Sequence, residues 1–284
     1  SSLPSARRDH GGSIAGQEIT MTDRAEQTIR ELRAEFDELD SMVKRFGPDD
    51  LTRPSGASEW DVSQVLSHLG SGAEIMLAAI DGAVNGTGSP GMDAIRGVWA
   101  RWDAMPPAER AQAFVTANEA LLRRFAEFDA RAREELRIEL WFPTEPVSLA
   151  SLTGMRLSEF ANHAWDVKVA FDPAAPLAPG AAELLLDQVG GMLGFAGKPE
   201  GLGGRRASVA VRTTSPDRSF GLEVGEAVRI GDVPAEPDAV LTAPAEWFVR
   251  LVYGRHSPEH TPSTVTLTGD GVTVDDLRRV FPGF

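Results

Sequence analysis

The stretch that most limits what this chain can become is residues 149–170, LASLTGMRLSEFANHAWDVKVA. Leu152, Met155, Glu159, His163, Asp166 and Ala170 recur at steps of three and four, so the segment reads as one helix with these six side chains on a shared face. That face mixes apolar groups with two acids and an imidazole. A face turned to a core cannot carry Glu, His and Asp unless something satisfies them. Glu159 and His163, at i and i+4, set an oxygen and a nitrogen ligand side by side on consecutive turns. One more ligand from another helix would complete a three-ligand cation site with open positions, the arrangement of catalytic zinc. The same spacing is common on solvated helix faces, and the pair alone leaves that bland reading open.

Three more helices are expected before this one. Asp23 with Glu26 reads as a helix start, and Ile29, Leu32, Phe36, Leu39 and Val43 then form a narrow apolar stripe that Gly47-Pro48 ends. After a loop at Pro54–Ala57, Ser58 with Asp61 three residues on reads as a capping box for EWDVSQVLSHLGSGAEIMLAAIDGA. The inward face of this second helix carries Val65, His68, Gly72 and Ile75 or Met76. His68 is either a hydrogen-bonded core histidine or the missing ligand. Gly70 and Gly72 cost roughly 1 kcal/mol each against Ala, which suggests a close approach by backbone or ligand and a cavity beside His68. A shorter helical stretch carries Ile95, Val98, Trp99 and Trp102. Another long helix is expected from about Ala108 to Ala130, and residues 137–141 alternate as if extended. Residues 22–171 thus predict a four-helix bundle, in which metal sites are built from inward side chains on facing helices. Such packing would let His68 meet Glu159 and His163.

Composition shifts at FDPAAPLAPG, residues 171–180, which reads as a linker. A helix is expected over Ala181 to Leu193. Then SVAVRTT, SFGLEV, AVRIGD and DAVLTAP alternate as strands, a helix starts near Pro244, STVTLTG is a further strand and VDDLRRVF a closing helix. Residues 172–284 are therefore expected to form a small α+β domain.

Charge and cysteine content bound the chemistry. A formal net charge of −14 argues against nucleic acid as a partner. With no cysteine in the chain, neither disulfides nor thiolate ligands are available, and thiol chemistry needs a thiol from outside. No run of about 18 apolar residues exists to span a membrane. Residues 1–21, which lack an apolar h-region, read as a leader or disordered segment with His10 in it and Met21 as the natural start. A soluble, cytoplasmic protein is expected, either monomer or homodimer.

The signatures W-D-V-x-x-V-L-x-H-L, Trp60 to Leu69, and R-x-x-E-x-x-x-H-x-x-D, Arg156 to Asp166, with the trailing α+β domain, resemble the mycothiol-dependent maleylpyruvate isomerase family. The resemblance covers nearly all of residues 22–284. It implies a DinB-like bundle followed by a sterol-carrier-like α+β domain, and a divalent metal, typically zinc, held by His68, Glu159 and His163. It places Arg156 near the site as a cofactor-binding residue and Asp166 as a catalytic one. It also implies a role for basic residues of the second domain around WFVRLVYGR, in which Arg255, or else Arg250, would face the cleft and act in catalysis.

Mycothiol would be the cosubstrate. A metal with a free position would bind its sulfur, lower its pKa and hold the thiolate against an electrophile. Asp166 either accepts a hydrogen bond from a ligand imidazole or is a surface acid paired with Lys168 or Arg156. His256 and His260, in a polar loop, are expected to be exposed. Three functions follow. The first is an S-transferase or thiol-exchange enzyme acting on an electrophilic metabolite. The second is a cis–trans isomerase of a maleylpyruvate-like diacid, which calls for two or more convergent cations. The third is a non-enzymatic binding module, against which an intact ligand set argues.

Overall fold

A computed structural model describes residues 21–284. The expected leader at 1–21, with His10, lies outside the described residues except for Met21. Helix α1 runs Met21–Val43, so Asp23 sits inside its first turn and not at its cap. Leu32, Phe36 and Leu39 of the expected stripe are buried along it. Pro48, expected only as a stop, also opens a one-turn helix α2 (Pro48–Leu51).

The second long helix, α3, spans Val62–Asn85. Its capping box lies three residues later than the expected Ser58/Asp61 pair: the Asp61 side chain accepts from Gln64 N at 2.8 Å, and the Gln64 side-chain Oε1 accepts from Asp61 N at 2.9 Å. The reason lies upstream. Residues 53–62 close a small antiparallel turn, with Val62 N bonded to Arg53 O and Ser55 N to Trp60 O. Glu59 sits there at φ 67°, a left-handed conformation that cannot continue into a helix.

Helix α4 (Met92–Asp103) crosses α3 where Gly70 removes a side chain. A Cβ at 70 would lie 2.3 Å from the Trp102 ring, and one at 72 would lie 3.3 Å from Arg156 Nη1. The glycines therefore admit an indole and a guanidinium, not the ligand cavity their position suggested. Helix α5 (Pro107–Glu127) ends before Phe128, and a separate short helix α6 (Ala130–Glu135) follows. Only Arg137–Ile138 of the expected extended stretch is strand, β1, paired antiparallel with β2 (Val147–Ser148). Helix α7 then covers Leu149–Lys168, with the Ser148 side chain accepting from Ser151 N at its start. Helices α1, α3, α5 and α7 pack as a closed four-helix bundle in which α3 lies against α5 and α7, and α1 against α7 and α5.

After α7 the chain changes from helices to sheet. Helices α8 (Pro179–Gln188) and α9 (Leu193–Ala196) precede a five-stranded sheet. Its strands are β3 (Ala207–Thr214), β4 (Arg218–Val224), β5 (Val228–Gly231), β6 (Ala239–Pro244) and β7 (Thr266–Gly269), in the order β5-β4-β3-β6-β7. Central β3 runs parallel to β6 and antiparallel to β4. Alternate residues Val209, Val211, Leu222, Leu241 and Ala243 point into one core. Helix α10 (Ala245–Val252) lies against β3 and β6 on one side and α8 on the other, which is why nearly every residue of it is buried. Helix α11 (Val274–Val280) closes the chain, capped by Thr273 and Asp276.

Residues 171–180 do not form a loose linker. Ala175 and Leu177 are buried. Trp165 Nε1 donates to Ala175 O at 2.7 Å, and Leu177 N donates to Glu246 Oε2 at 3.0 Å. One apolar cluster runs through both parts of the chain, from Leu32 and Leu66 to Trp247 and Leu277. The sheet part is thus fixed against α7, and its loops reach the polar face of that helix.

Candidate metal centre

Helices α3 and α7 pack side by side, and their facing turns bring His68 to Glu159 and His163. His68 Nε2 lies 2.9 Å from Glu159 Oε2, and His163 Nε2 lies 3.6 Å from the same oxygen. One donor atom from each of the three can be chosen so that all lie within 4.8 Å of one another. A tetrahedral cation with bonds near 2.0–2.1 Å sets its ligand atoms about 3.3–3.4 Å apart. The observed spacings bracket that value, so two imidazole nitrogens and a carboxylate oxygen fit a zinc-like ion with an open position. His68 is not enclosed in the core: its side chain is 37% exposed and turned to Glu159.

A buried carboxylate stands behind the cluster. Asp166 is fully buried, and its Oδ2 accepts from His163 Nδ1 at 2.9 Å. Arg255 grips the same carboxylate with two bonds, Nε to Oδ1 at 2.9 Å and Nη2 to Oδ2 at 2.6 Å. This geometry puts the His163 proton on Nδ1 and leaves the Nε2 lone pair facing Glu159. Burial pushes the His163 pKa down and outweighs the upward pull of Asp166, so the ring is held neutral, the form that ligates a metal. Burial alone would raise the Glu159 carboxyl. The hydrogen bond from His68, both imidazoles and the Arg156 guanidinium outweigh it and hold the pKa near the bottom of the range, at about 2. Glu159 remains 57% exposed, so solvent screens all of these contributions.

The other residues singled out by sequence divide. Of the two readings of Asp166, the structure favours the partner of a ligand imidazole; Lys168 pairs with Glu38 and Glu35 instead. Arg255, and not Arg250, reaches the site. Arg250 is buried, pairs with Glu246, and donates to the carbonyls of Arg255 and His260, so it holds the loop that carries Arg255. Arg156 is not brought into the open cluster. It is enclosed in the bundle, where Nη2 donates to Leu69 O at 2.7 Å and Asn118 Oδ1 at 2.6 Å. Burial lowers its pKa to about 10, which still leaves it charged. His256 and His260 are half-buried, not exposed as expected: His256 Nε2 donates to Phe281 O, and His260 packs edge-on against Trp165 while donating to Pro173 O.

Two contacts were not foreseen. Trp60 lies beside the imidazoles of both His68 and His163. Ser158 Oγ, next to Glu159, bonds to the hydroxyl of Tyr253 at 2.7 Å. Trp60 had a signal, since it opens the W-D-V-x-x-V-L-x-H-L motif that contains His68. Tyr253 had only its nearness to Arg255.

Residues 32–168 match the family described as the mycothiol maleylpyruvate isomerase N-terminal domain. Among solved structures, the chain is similar to the mycothiol-dependent maleylpyruvate isomerase at 15% identity, with 88% of this chain and 94% of that chain covered and a TM-score of 0.61. A histidine-to-alanine mutant of that enzyme matches over the same shares at 14% identity, also with a TM-score of 0.61. At these identities the likeness is one of fold, and it spans both the helical and the sheet parts. No curated protein matches by sequence.

Proposed function

We propose that this chain, whose residues 32–168 match the mycothiol maleylpyruvate isomerase N-terminal domain, is a thiol-dependent metalloenzyme that uses mycothiol to isomerise a maleylpyruvate-like diacid about a cis double bond. In this reading residues 22–171 hold the metal and residues 172–284 supply Arg255. The observation that carries it is the convergence of His68, Glu159 and His163 donor atoms within 4.8 Å, backed by a buried Asp166. A divalent ion such as zinc, held there, supplies Lewis acidity that lowers the pKa of an incoming thiol and steadies its thiolate.

The protein's own side chains do the rest. Asp166 keeps the proton at His163 Nδ1 so that Nε2 presents its lone pair. Arg255 balances the Asp166 charge and prevents that carboxylate from taking the proton. Glu159 stays ionised beside the two imidazoles. Opening of the cluster on the Glu159 and His68 side gives the substrate its approach. In the reaction the thiolate sulfur adds to an alkene carbon conjugated to the ketone, and the π pair moves to the ketone oxygen. The former double bond rotates as a single bond. The enolate pair then returns and expels the thiolate, so no thiol is consumed.

A second reading, thiol transfer or exchange onto an electrophile, is favoured by one observation. A diacid calls for two or more convergent cations, yet the three arginines named from the sequence are all committed, Arg156 to Leu69 O and Asn118, Arg250 to Glu246 and Arg255 to Asp166. Product analysis with thiol far below the diacid concentration separates the two. Isomerisation turns over many diacid molecules per thiol, whereas transfer stops at one adduct per thiol. His163→Ala is expected to abolish both stoichiometric metal and turnover; a variant that keeps its metal would overturn the ligand assignment.

A further inference from the structure

Trp60 stands one residue before the α3 cap, outside the three proposed ligands. Its indole centre nevertheless lies 5.1 Å from the His68 ring and 6.0 Å from the His163 ring, tilted by 44° and 32°. It therefore touches two imidazoles that come from different helices and that stand 4.5 Å apart. Trp60 is half-buried in a loop, and it packs on the apolar core as well as beside the two imidazoles.

The loop that presents it is tightly held. Gly56 N donates to Asp166 O at 2.8 Å. A Cβ at 56 would lie 2.6 Å from Val169 and 3.0 Å from Trp165, so only glycine lets the loop sit this close to α7. Ser55 Oγ donates to the Trp60 carbonyl at 2.8 Å, and a β-bridge joins Pro54 to Asp61. The indole is thus fixed relative to both helices of the cluster. Exposure of the cluster itself is uneven: the side chains of Glu159 and His68 are 57% and 37% exposed, but that of His163 is only 15% exposed. A ligand entering past Glu159 meets an aromatic wall beside the imidazoles.

Resting on the thiol-dependent reading above, we propose that Trp60 is a specificity-determining residue, its indole being the surface on which the sulfur and adjacent methylene of a cysteine-type thiol lie when the sulfur reaches the His68, Glu159 and His163 cluster. Sulfur is polarizable and packs favourably on aromatic rings. Water or an alcohol oxygen gains far less from the same surface. The indole then adds a contact preference for thiols to the preference of a borderline-soft cation for sulfur.

The full chain loaded with cobalt tests this, because the visible spectrum reports sulfur contact with the ion. Wild type, Trp60→Phe and Trp60→Leu are titrated with mycothiol and with N-acetylcysteine, and cobalt stoichiometry and affinity are measured separately. All three proteins are expected to bind one cobalt with similar affinity. Trp60→Leu, which keeps apolar bulk without an aromatic face, is expected to bind both thiols about 2- to 10-fold more weakly, and Trp60→Phe to recover most of that loss. Undiminished thiol affinity in Trp60→Leu overturns the proposal. Weakened cobalt affinity with thiol affinity unchanged at saturating cobalt also overturns it, leaving the indole as a prop for the imidazoles. A wild-type protein that binds cobalt but gives no spectral response to either thiol sinks the thiol-dependent reading itself.

Discussion

Replacing Asp166 with Asn changes one oxygen for an NH2 group at a fully buried position that now accepts three N–H groups. Oδ2 takes two of those donors, from His163 and Arg255, and Oδ1 takes one. The best orientation of the amide keeps its oxygen at the Oδ2 position and turns NH2 toward Arg255 Nε, so one bond is lost and two donors face each other. The negative charge is lost as well, and the Arg255 guanidinium, 15% exposed, is left without a counterion. Removing one partner of a buried ion pair costs about 3–5 kcal/mol; residual solvent access to Arg255 puts this case near the lower end, about 3 kcal/mol. Loss of a carboxylate behind a ligand imidazole typically weakens metal binding about 10- to 100-fold. Urea unfolding of the metal-free protein reads the first effect, and zinc competition with a chromophoric chelator reads the second. Arg255→Met placed in the Asp166→Asn background is expected to restore part of the stability but not the metal affinity, since it removes the stranded charge without returning the acceptor. An Asp166→Asn protein with an unchanged unfolding midpoint and zinc affinity within about twofold of wild type would refute the reasoning.

Two further perturbations probe the frame around the site. Glu35 is buried in α1 with its nearest cation, Lys168, at 3.8 Å, and burial, only partly offset by that cation, pushes its pKa up to about 7. The folded state therefore holds this proton more tightly than the unfolded one, so the contribution is full below about pH 4.5 and is lost as pH rises through about 7, up to about 3 kcal/mol. Glu35→Gln should flatten the fall in stability between pH 5 and 8 relative to wild type, and parallel pH profiles would discount the assignment. Gly70→Ala gains about 1 kcal/mol of helix propensity, but the added methyl would sit 2.3 Å from Trp102. Overpacking of about 1–3 kcal/mol should win; thermal unfolding showing a more stable Gly70→Ala variant would mean the α3–α4 contact is looser than described.

Periodicity revealed the long helices because apolar residues such as Leu32, Phe36 and Leu39 repeat at helical spacing, a property of the sequence alone. The ligand candidates were legible for the same reason: Glu159 and His163 are neighbours on one helix, and His68 is the histidine of the helix that a four-helix bundle sets beside it. What escaped depended on distant contacts. The α3 cap moved to Asp61 because residues 53–62 close a turn against α7. His256 and His260 looked exposed in a polar loop, yet that loop folds back onto Phe281 and Trp165. Arg255 and Asp166 are 89 positions apart, so no local pattern could distinguish that pairing from one with Lys168 or Arg156. Gly70 and Gly72 correctly signalled close approach, but spacing cannot say whether a ligand or an indole fills the gap.

Because Arg255 is carried by the sheet part while Asp166 belongs to the bundle, the two halves share one charge balance. A helical half expressed alone would lose the guanidinium that grips Asp166 beside the His163 imidazole. Shuffling such a bundle onto a different C-terminal module would therefore carry the three donors across intact and still detune them, unless the new module also delivered a cation to the same spot.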